Sequence, residues 1–456
     1  MASTAAPSAA SSVVLPDHFP SGPVEIAQRL IRFETVNPPG DEAACVTWVR
    51  DLLDAAGLET RLLAVDPRRP NLIARLPGRG LAPPLLLHAH VDVVPVAGQR
   101  WSRPPFGGEI ADGELWGRGA VDMKGQLAMM LAALLRLKAT GTPPAGDVIL
   151  AVVADEEAGS AVGARFLVQR HPELFAGVRY AIGEDGGAEL DLGRQVRLHP
   201  IVVAEKRACW LRATLHGTAG HASRAAGRSG AAHKLQRLLT AIDGGGLGTL
   251  MTPVVDRMLQ ELAGALPDPV SGRIAAFRAD PGDPSALDGI DEADARYLRS
   301  LVQHTVNATV IQGGTATNVL PAQISVELDG RLLPGASSTE DFLAELRSRA
   351  GCEMDLEVLV EGEVMPPPRL GGFYDRLAGV LKAKDPDGVP VPMVTTASTD
   401  ARLFPLLGIQ CYGWFPLLHT RDTSYRGRLH CPDERIAVSA LEFGADCFHE
   451  LLIGHD

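Results

Sequence analysis

Leu85-Leu86-Leu87-His88-Ala89-His90-Val91-Asp92-Val93-Val94-Pro95 is the stretch on which the fold turns. Pro83-Pro84 introduce it, an apolar run fills its first half and Pro95 closes it. Such a run predicts a buried strand of a parallel or mixed sheet, near-continuously apolar because both faces are covered. Two histidines and a carboxylate at its end need partners, because unpaired polar groups in an apolar setting cost several kcal/mol. Period-two alternation puts His88, His90 and Asp92 on one face. A His and an Asp two residues apart at a strand's carboxyl end suit a metal ligand and the carboxylate that fixes its tautomer. The plain alternative is a hydrogen-bonded core pair.

Around that strand, 456 residues allow two or three domains with large cores. The mixture of Ala/Leu-rich and Val/Ile-rich runs predicts an α/β protein. A net charge of −12 with no Lys/Arg cluster makes nucleic acid and anionic membrane poor partners. Cys45, Cys209, Cys352, Cys411, Cys431 and Cys447 are scattered without a C-x-x-C pair, the pattern of reduced thiols in a cytoplasmic protein. No run reaches the roughly 18 apolar residues that span a bilayer. Met1 to Ser12 is Ala/Ser-rich without a cationic start, and residues 1–22 read as a disordered tail rather than a signal peptide.

Pro23–Thr35 and Asp41–Ala56 read as amphipathic helices, the second with Ala44, Trp48, Leu52 and Ala56 on its inner stripe and Gly57 as its stop. Strand signals follow at Arg61–Val65 and Asn71–Leu76. After the central strand, a Gly- and Pro-rich segment delivers Asp122 ahead of a helix from Gly125 to Ala139. Asp147–Ala154 is a second buried strand, ending in Asp155-Glu156-Glu157, and Tyr180–Asp185 a short strand ending in acid. From Glu205 the pattern changes. Cys209–Leu215, Val306–Ile311, Gln323–Leu328 and Leu356–Val360 alternate as an antiparallel sheet with one exposed face, with helices His233–Ile242 and Thr339–Arg349 between them. Residues 206–363 therefore read as a smaller α+β domain inserted into a larger one made of 23–205 and 364–456. Within the insert, Gly244–Arg299 is mostly helical in character.

Strand and loop ends now present His90, Asp122, Glu157 and Glu184, with His430 far downstream. Each has a plain reading: Asp122 as a helix cap, Glu156-Glu157 as solvated loop residues, His430 as a surface histidine. Ligands of open α/β sheets sit at the carboxyl ends of strands, which favours a common site. The charges also balance: two divalent ions against Asp122, Glu157, Glu184 and one hydroxide, with two neutral imidazoles. That set suits Zn2+, with Co2+ or Mn2+ as alternatives. Glu156, beside a ligand and not readily a ligand on the same side, is placed to take a proton from a metal-acidified water. No H-E-x-x-H, G-x-S-x-G, P-loop or post-strand G-x-G-x-x-G offers a rival chemistry.

Leu87-His88-Ala89-His90-Val91-Asp92-Val93-Val94-Pro95, Gly117-Arg118-Gly119-Ala120-Val121-Asp122-Met123-Lys124-Gly125 and Asp155-Glu156-Glu157-Ala158-Gly159 together resemble the two-zinc amidohydrolases. That family holds aminoacylases, acetylornithine deacetylase, succinyl-diaminopimelate desuccinylase, carnosine-type dipeptidases and glutamate carboxypeptidase. The resemblance runs from Pro23 to the C-terminus. It implies a zinc-peptidase-like catalytic domain with a central mixed sheet flanked by helices, interrupted by a lid that makes a homodimer. It implies two Zn2+ per chain: His90 and Glu184 on one, Glu157 and His430 on the other, Asp122 bridging, Glu156 as general base and Asp92 orienting His90. Gly217-Thr218-Ala219-Gly220-His221-Ala222-Ser223, Thr317-Asn318-Val319-Leu320-Pro321 and Ser398-Thr399-Asp400-Ala401-Arg402 resemble its substrate-contacting segments. The third ligand segment reads Gly183-Glu184-Asp185-Gly186-Gly187, which makes Asp185 a rival to Glu184. The long Gly244–Arg299 stretch resembles the aminoacylase branch.

The expected function is metal-dependent hydrolysis of the amide bond in small N-acyl-amino acids. Arg402 is the expected grip on a substrate carboxylate, with pairing to Asp400 as its structural alternative. In the dimers of the family the loop of His221 reaches the partner's site, where His221 would donate to the tetrahedral oxyanion. A dipeptidase or carboxypeptidase on the same scaffold, or an amide synthase running in reverse, shares the same metals. An inactive binding or scaffold relative would have no need of Glu156.

Overall fold

The computed structural model describes residues 15–184, 192, 196–224, 230–243, 246–335, 338–367, 369–418, 425 and 427–454. They divide into two compact units. One comprises the residues up to Ile201, Gly371–Pro390 and those from Thr399 onward; the other comprises Val202–Leu370 and Val391–Ser398.

The large sheet has eight strands in the order Glu59–Leu63, Asn71–Leu76, Val148–Val153, Leu85–His90, Tyr180–Gly183, Gln410–Gly413, Leu198–Glu205, Val389–Thr395. Asn71–Leu76 runs antiparallel to both its neighbours. Leu85–His90 is parallel to Val148–Val153 and to Tyr180–Gly183, which is in turn parallel to Gln410–Gly413. The sheet is therefore mixed with a parallel centre. Leu85–His90 and Val148–Val153 are buried at every position, as their unbroken apolar runs require.

Helix Lys124–Thr140 packs against helices Pro23–Ile31 and Val438–Ile453. It is apolar on all sides, from Leu127 and Met130 to Leu134 and Leu137, and is accordingly buried around its circumference. Gly141, in the left-handed conformation at φ 64°, ends it. A further apolar cluster joins Leu86, Ile149 and Val153 of the sheet to Leu167, Phe175, Leu403 and Phe404.

Two details depart from the sequence reading. The central strand ends at His90; Val93 has already left the sheet to bridge Val36, so Asp92 is outside the strand's alternation. In helix Ala43–Ala55 the buried side is Cys45, Val46, Val49, Leu52 and Leu53, while Ala44 is exposed. Alanine loses little by exposure, so the larger side chains choose the inner face.

In the second unit, the sheet order is Thr305–Gly313, Gln323–Leu332, Arg207–His216, Asp355–Glu361, antiparallel throughout. Along Arg207–His216, Cys209, Leu211, Ala213 and Leu215 are buried in a core shared with Leu238 and Phe342, from helices Ala231–Asp243 and Thr339–Ala350. Trp210 and His216, on the other side of the alternation, are exposed. The Gly244–Arg299 stretch contributes helices Pro253–Ala265 and Val270–Ala279, which pack together, and Glu292–Ser300. Thr252 and Asp291 cap the first and third. The unit starts at Val202 and ends at Leu370, a few residues outside 206–363, and takes in Val391–Ser398. The described cysteines form no disulfide, and among the described residues no helix is long and apolar enough to cross a membrane.

Candidate metal centre

Four of the predicted residues lie at the carboxyl ends of parallel strands. His90 closes Leu85–His90, Glu156 and Glu157 lie on a single 3-10 turn (Glu156–Ala158) just past Val148–Val153, and Glu184 follows Tyr180–Gly183. Asp122 comes from the loop ahead of helix Lys124–Thr140, and His430 from a turn where it takes φ 59°.

These side chains converge. His90 Nε2 lies 3.1 Å from Asp122 Oδ1 and 3.0 Å from Glu184 Oε2. His430 Nε2 lies 3.0 Å from Asp122 Oδ2 and 3.5 Å from Glu157 Oε2. Asp122 thus presents one oxygen to each imidazole. It does not cap the helix that follows, whose N-cap position, Met123, makes no side-chain cap bond. Glu156 and Glu157 are not solvated loop residues, since their side chains are only 10% and 7% exposed. Ligand-type atoms of His90, Asp122 and Glu157 lie within 4.8 Å of one another, and so do those of His90, Glu156 and Glu184. The 3-10 turn therefore brings both adjacent glutamates inward, which strand alternation would not do. Asp185 lies outside the described residues.

The cluster carries more negative charge than its imidazoles balance. Burial, and then the Glu184 carboxylate, pushes Glu156 well above the usual carboxylate range. Burial, with Asp122 and Asp400 adding, pushes Glu184 up to about 8. Asp122 and Glu157 hold His430 up at about 10. Burial opposes charge on His90, but Glu184, Asp122 and Asp92 outweigh it and raise the imidazole. Carboxylates driven to protonate beside imidazoles driven to charge form a cluster whose charges a divalent cation would balance. The donors are carboxylate oxygens and ring nitrogens, so they fit borderline divalent ions.

The family model for peptidase family M20/M25/M40 matches residues 86–454. The chain belongs to that family. Aminoacylase-1 of Sus scrofa is 28% identical over 436 residues, covering 94% of this chain and 94% of that protein. The succinyl-diaminopimelate desuccinylase of Paracoccus denitrificans is 33% identical over 443 residues, covering 94% and 97%. Among solved structures, the M20 family metallo-carboxypeptidase Sso-CP2 from Sulfolobus solfataricus superposes with a TM-score of 0.69 at 18% identity, covering 94% of this chain and 98% of that one.

In this M20 chain the surroundings of the centre are only partly as read from sequence. Nδ1 of His90 is 2.9 Å from the main-chain oxygen of Asp92 and 3.6 Å from its carboxylate. Because Asp92 has left the strand, its carboxylate instead takes the Glu156 and Glu157 N–H groups at 3.2 and 3.1 Å and Asn37 Nδ2 at 2.8 Å. Asp155 sits at φ 69°, held by Asn37 at 3.2 Å and by Arg69 at 3.0 Å, and Arg69 also reaches Glu42 at 2.7 Å. Asn37, Glu42, Arg69 and Asp155 were not singled out by the sequence reading; no local spacing announces partners that distant. His88 stands apart from the ligands. Its ring is buried against Phe404 and against Gly183, where a Cβ would come within 2.0 Å, and burial pushes the imidazole down to about 3.

Arg402 Nη2 donates to Ser160 Oγ at 3.0 Å and Nη1 to the Thr399 carbonyl; the guanidinium is 4.0 Å from Glu156 Oε1. Ser160 also donates to the Asp400 carboxylate. In the second unit, Gly220–His221 pairs with Val319–Leu320, and the Ala222 N–H donates to the Asn318 carbonyl at 2.9 Å. His221 and Asn318 are both exposed. The Ser223 N–H donates to His221 Nδ1 at 3.3 Å, and Ser223 Oγ lies 2.8 Å from the same atom. A ring whose Nδ1 accepts carries its proton on Nε2 when neutral.

Proposed function

We propose that this chain hydrolyses the amide bond of small N-acyl-amino acids at a two-metal centre held by His90, Asp122, Glu157, Glu184 and His430. The observation that carries the reading is Asp122, with one carboxylate oxygen at each of two imidazoles and Glu156 beside the cluster. The likeness to aminoacylase-1 over 94% of both chains supports the substrate class. Zn2+ is the first choice for this donor set, with Co2+ or Mn2+ as substitutes. Such ions would polarise the amide carbonyl and acidify the attacking water.

The chain's own residues do the rest. Glu156, whose proton affinity burial and Glu184 raise, accepts the water proton and passes it to the departing amine. The hydrogen bonds of Arg402 to Ser160 and Thr399 fix its guanidinium beside Glu156, and the reading places the substrate carboxylate against it. His221 donates from Nε2 to the oxyanion, in the partner's site of a homodimer made through the Val202–Leu370 unit, with Asn318 alongside. Cysteines kept as thiols suit a reducing cytoplasm.

The test is amine release from a panel of N-acyl-amino acids and dipeptides by metal-depleted protein reconstituted with Zn2+, Co2+ or Mn2+. Metal-restored cleavage of N-acyl-amino acids is expected. Cleavage confined to dipeptides would replace the substrate class, and activity indifferent to metal removal would overturn the mechanism.

A further inference from the structure

We infer that Glu434 is a positioning residue that sets Asp122 and His430 relative to each other, and so controls the affinity of one of the two proposed metal positions more than the other. The inference rests on the two-metal reading above, but its evidence is separate.

Glu434 is fully buried. Its Oε2 accepts Arg118 Nη1 at 2.6 Å and the Gly119 N–H at 3.1 Å, and its Oε1 accepts the Val121 and Asp122 N–H groups at 2.8 and 3.1 Å. The Gly117 N–H donates to its main-chain carbonyl at 2.9 Å. The loop from Gly117 to Asp122 is thus wound around one carboxylate. Gly119, at φ 87°, has no room for a side chain, since a Cβ would meet Val93 at 2.9 Å. Charge-assisted bonds of this kind are the strong ones, and removing the acceptor strands several buried donors at once.

The same carboxylate reaches His430 by a second route. Arg118, held by Glu434, donates from Nη2 to Gln99 Oε1 at 2.8 Å and from Nη1 to the Cys431 carbonyl at 3.3 Å, and its guanidinium lies over Trp101. Gln99 Nε2 in turn donates to the His430 carbonyl at 2.9 Å, and the Ser102 N–H to Asp433 Oδ1 at 2.7 Å. His430 and Asp433 both take φ 59°, a conformation that non-glycine residues hold only when their surroundings over-determine it. Glu434 therefore clamps two neighbouring stretches, Gln99–Ser102 and Gly117–Asp122, to His430–Glu434, which lies hundreds of residues further along the chain.

The two metal positions depend on this clamp unequally. His90 and Glu184 are placed by the strands they terminate or follow. Asp122, shared by both positions, and His430, which belongs to the other alone, stand on loops that Glu434 ties, so that position leans on the clamp through two ligands and the first through one. Partners that orient ligands cost about 10–100-fold in metal affinity when they are lost. Glu434→Gln keeps the size of the side chain, but its amide N–H2 would face Arg118 or backbone donors.

Metal-depleted protein titrated calorimetrically with Zn2+ against a competing chelator tests the inference. Wild type is expected to take up two ions. Glu434→Gln should keep one step near the wild-type affinity and weaken the other about 10–100-fold, lowering kcat with little change in KM. Gln99→Leu, which leaves the bonds of Glu434 to the Asp122 loop in place and cuts the ties of Gln99 to the His430 carbonyl, Arg118 and Trp101, should weaken the same step by less. A folded Glu434→Gln that binds both ions as wild type does, or loses affinity equally at both, overturns the inference and leaves the two-metal reading standing. Should Glu434→Gln fail to fold, an unaltered titration of Gln99→Leu overturns it instead. A wild type that takes up only one ion removes the two-metal reading itself.

Discussion

The strand ends of the first unit and the sheet of the second use polar residues in opposite ways. In the first, His90, Asp122, Glu156, Glu157 and Glu184 converge beside strands buried at every position. In the second, Arg212 meets Glu327 and Glu357, at 3.0 Å each, on the face opposite the apolar core. Exposed pairs of that kind contribute about 0–1 kcal/mol and could be exchanged with little consequence. A buried acid has no such freedom: it must be paired, protonated or bound to a cation. Polar residues in the first setting therefore report chemistry, whereas in the second they report only a solvated surface.

The sharpest way to break this contrast is Glu156→Gln. The substitution keeps the shape and removes the proton acceptor, so kcat should fall by about 10²–10⁴ while metal content and melting temperature hold. Turnover measured at saturating N-acyl-amino acid, with metal analysis on the same sample, checks it. Near-native turnover would make Glu156 one more structural acid, and the inward 3-10 turn a matter of folding alone.

His221 tests the contrast from the other side, because it is an exposed residue of the second unit to which the reading gives a catalytic role. The Ser223 N–H on Nδ1 leaves Nε2 as the donor, so His221→Ala should cost about 10²–10³ in kcat. Refolding Glu156→Gln together with His221→Ala shows where it acts. A mixed dimer pairs an intact base on one chain with an intact His221 on the other, and should regain one good site. Proven heterodimers without recovery would confine His221 to its own chain, or to the turn that Ser223 closes.

What could be read from the sequence follows the same physics. Asn71–Leu76 is found where its strand signal puts it, and the central apolar run is a strand buried at every position, ending at His90. Glu156 and Glu157 stood out because two acids end an apolar strand. Asp92 is legible as a neighbour of His90, but that its main-chain oxygen lies nearer Nδ1 than its carboxylate, at 2.9 against 3.6 Å, follows from the strand ending at His90, which the apolar run does not show. Ala44 was placed inside because periodicity cannot tell which of two adjacent stripes holds the larger side chains. Arg69, Asn37 and Glu434 went unseen because their partners lie far along the chain, and only the fold closes those distances. Val391–Ser398, which belongs to the second unit, carries a strand pattern like any in the first.

Lys206 gives the smallest effect and the finest test, because it is a buried charge within the second unit. It is 1% exposed, and its Nζ donates to the Ser300 and Gln303 carbonyls at 3.0 and 2.9 Å and to Thr305 Oγ1 at 3.1 Å. Burial, with Arg331 adding, pushes the amine down to about 7. The unfolded chain keeps the ordinary value of about 10.4. Between those two values the unfolded state holds a proton that the folded state has shed, so stability rises with pH across that window. Below pH 7 both states are charged, the slope vanishes and the cost of burial is present in full. The neutral amine still has two N–H groups, so deprotonation gives up only one of the three hydrogen bonds. Lys206→Met should abolish a slope of at most about 1.4 kcal/mol per pH unit. Hydrogen exchange of amides in Glu292–Ser300 and Thr305–Gly313, followed at pH 7, 8 and 9 in both proteins and corrected for intrinsic rates, checks it. Wild type should gain protection over the variant as pH rises. A difference that stays flat would mean that the three acceptors hold the ammonium charged, and that the second unit, like the first, pairs its buried charge rather than neutralising it.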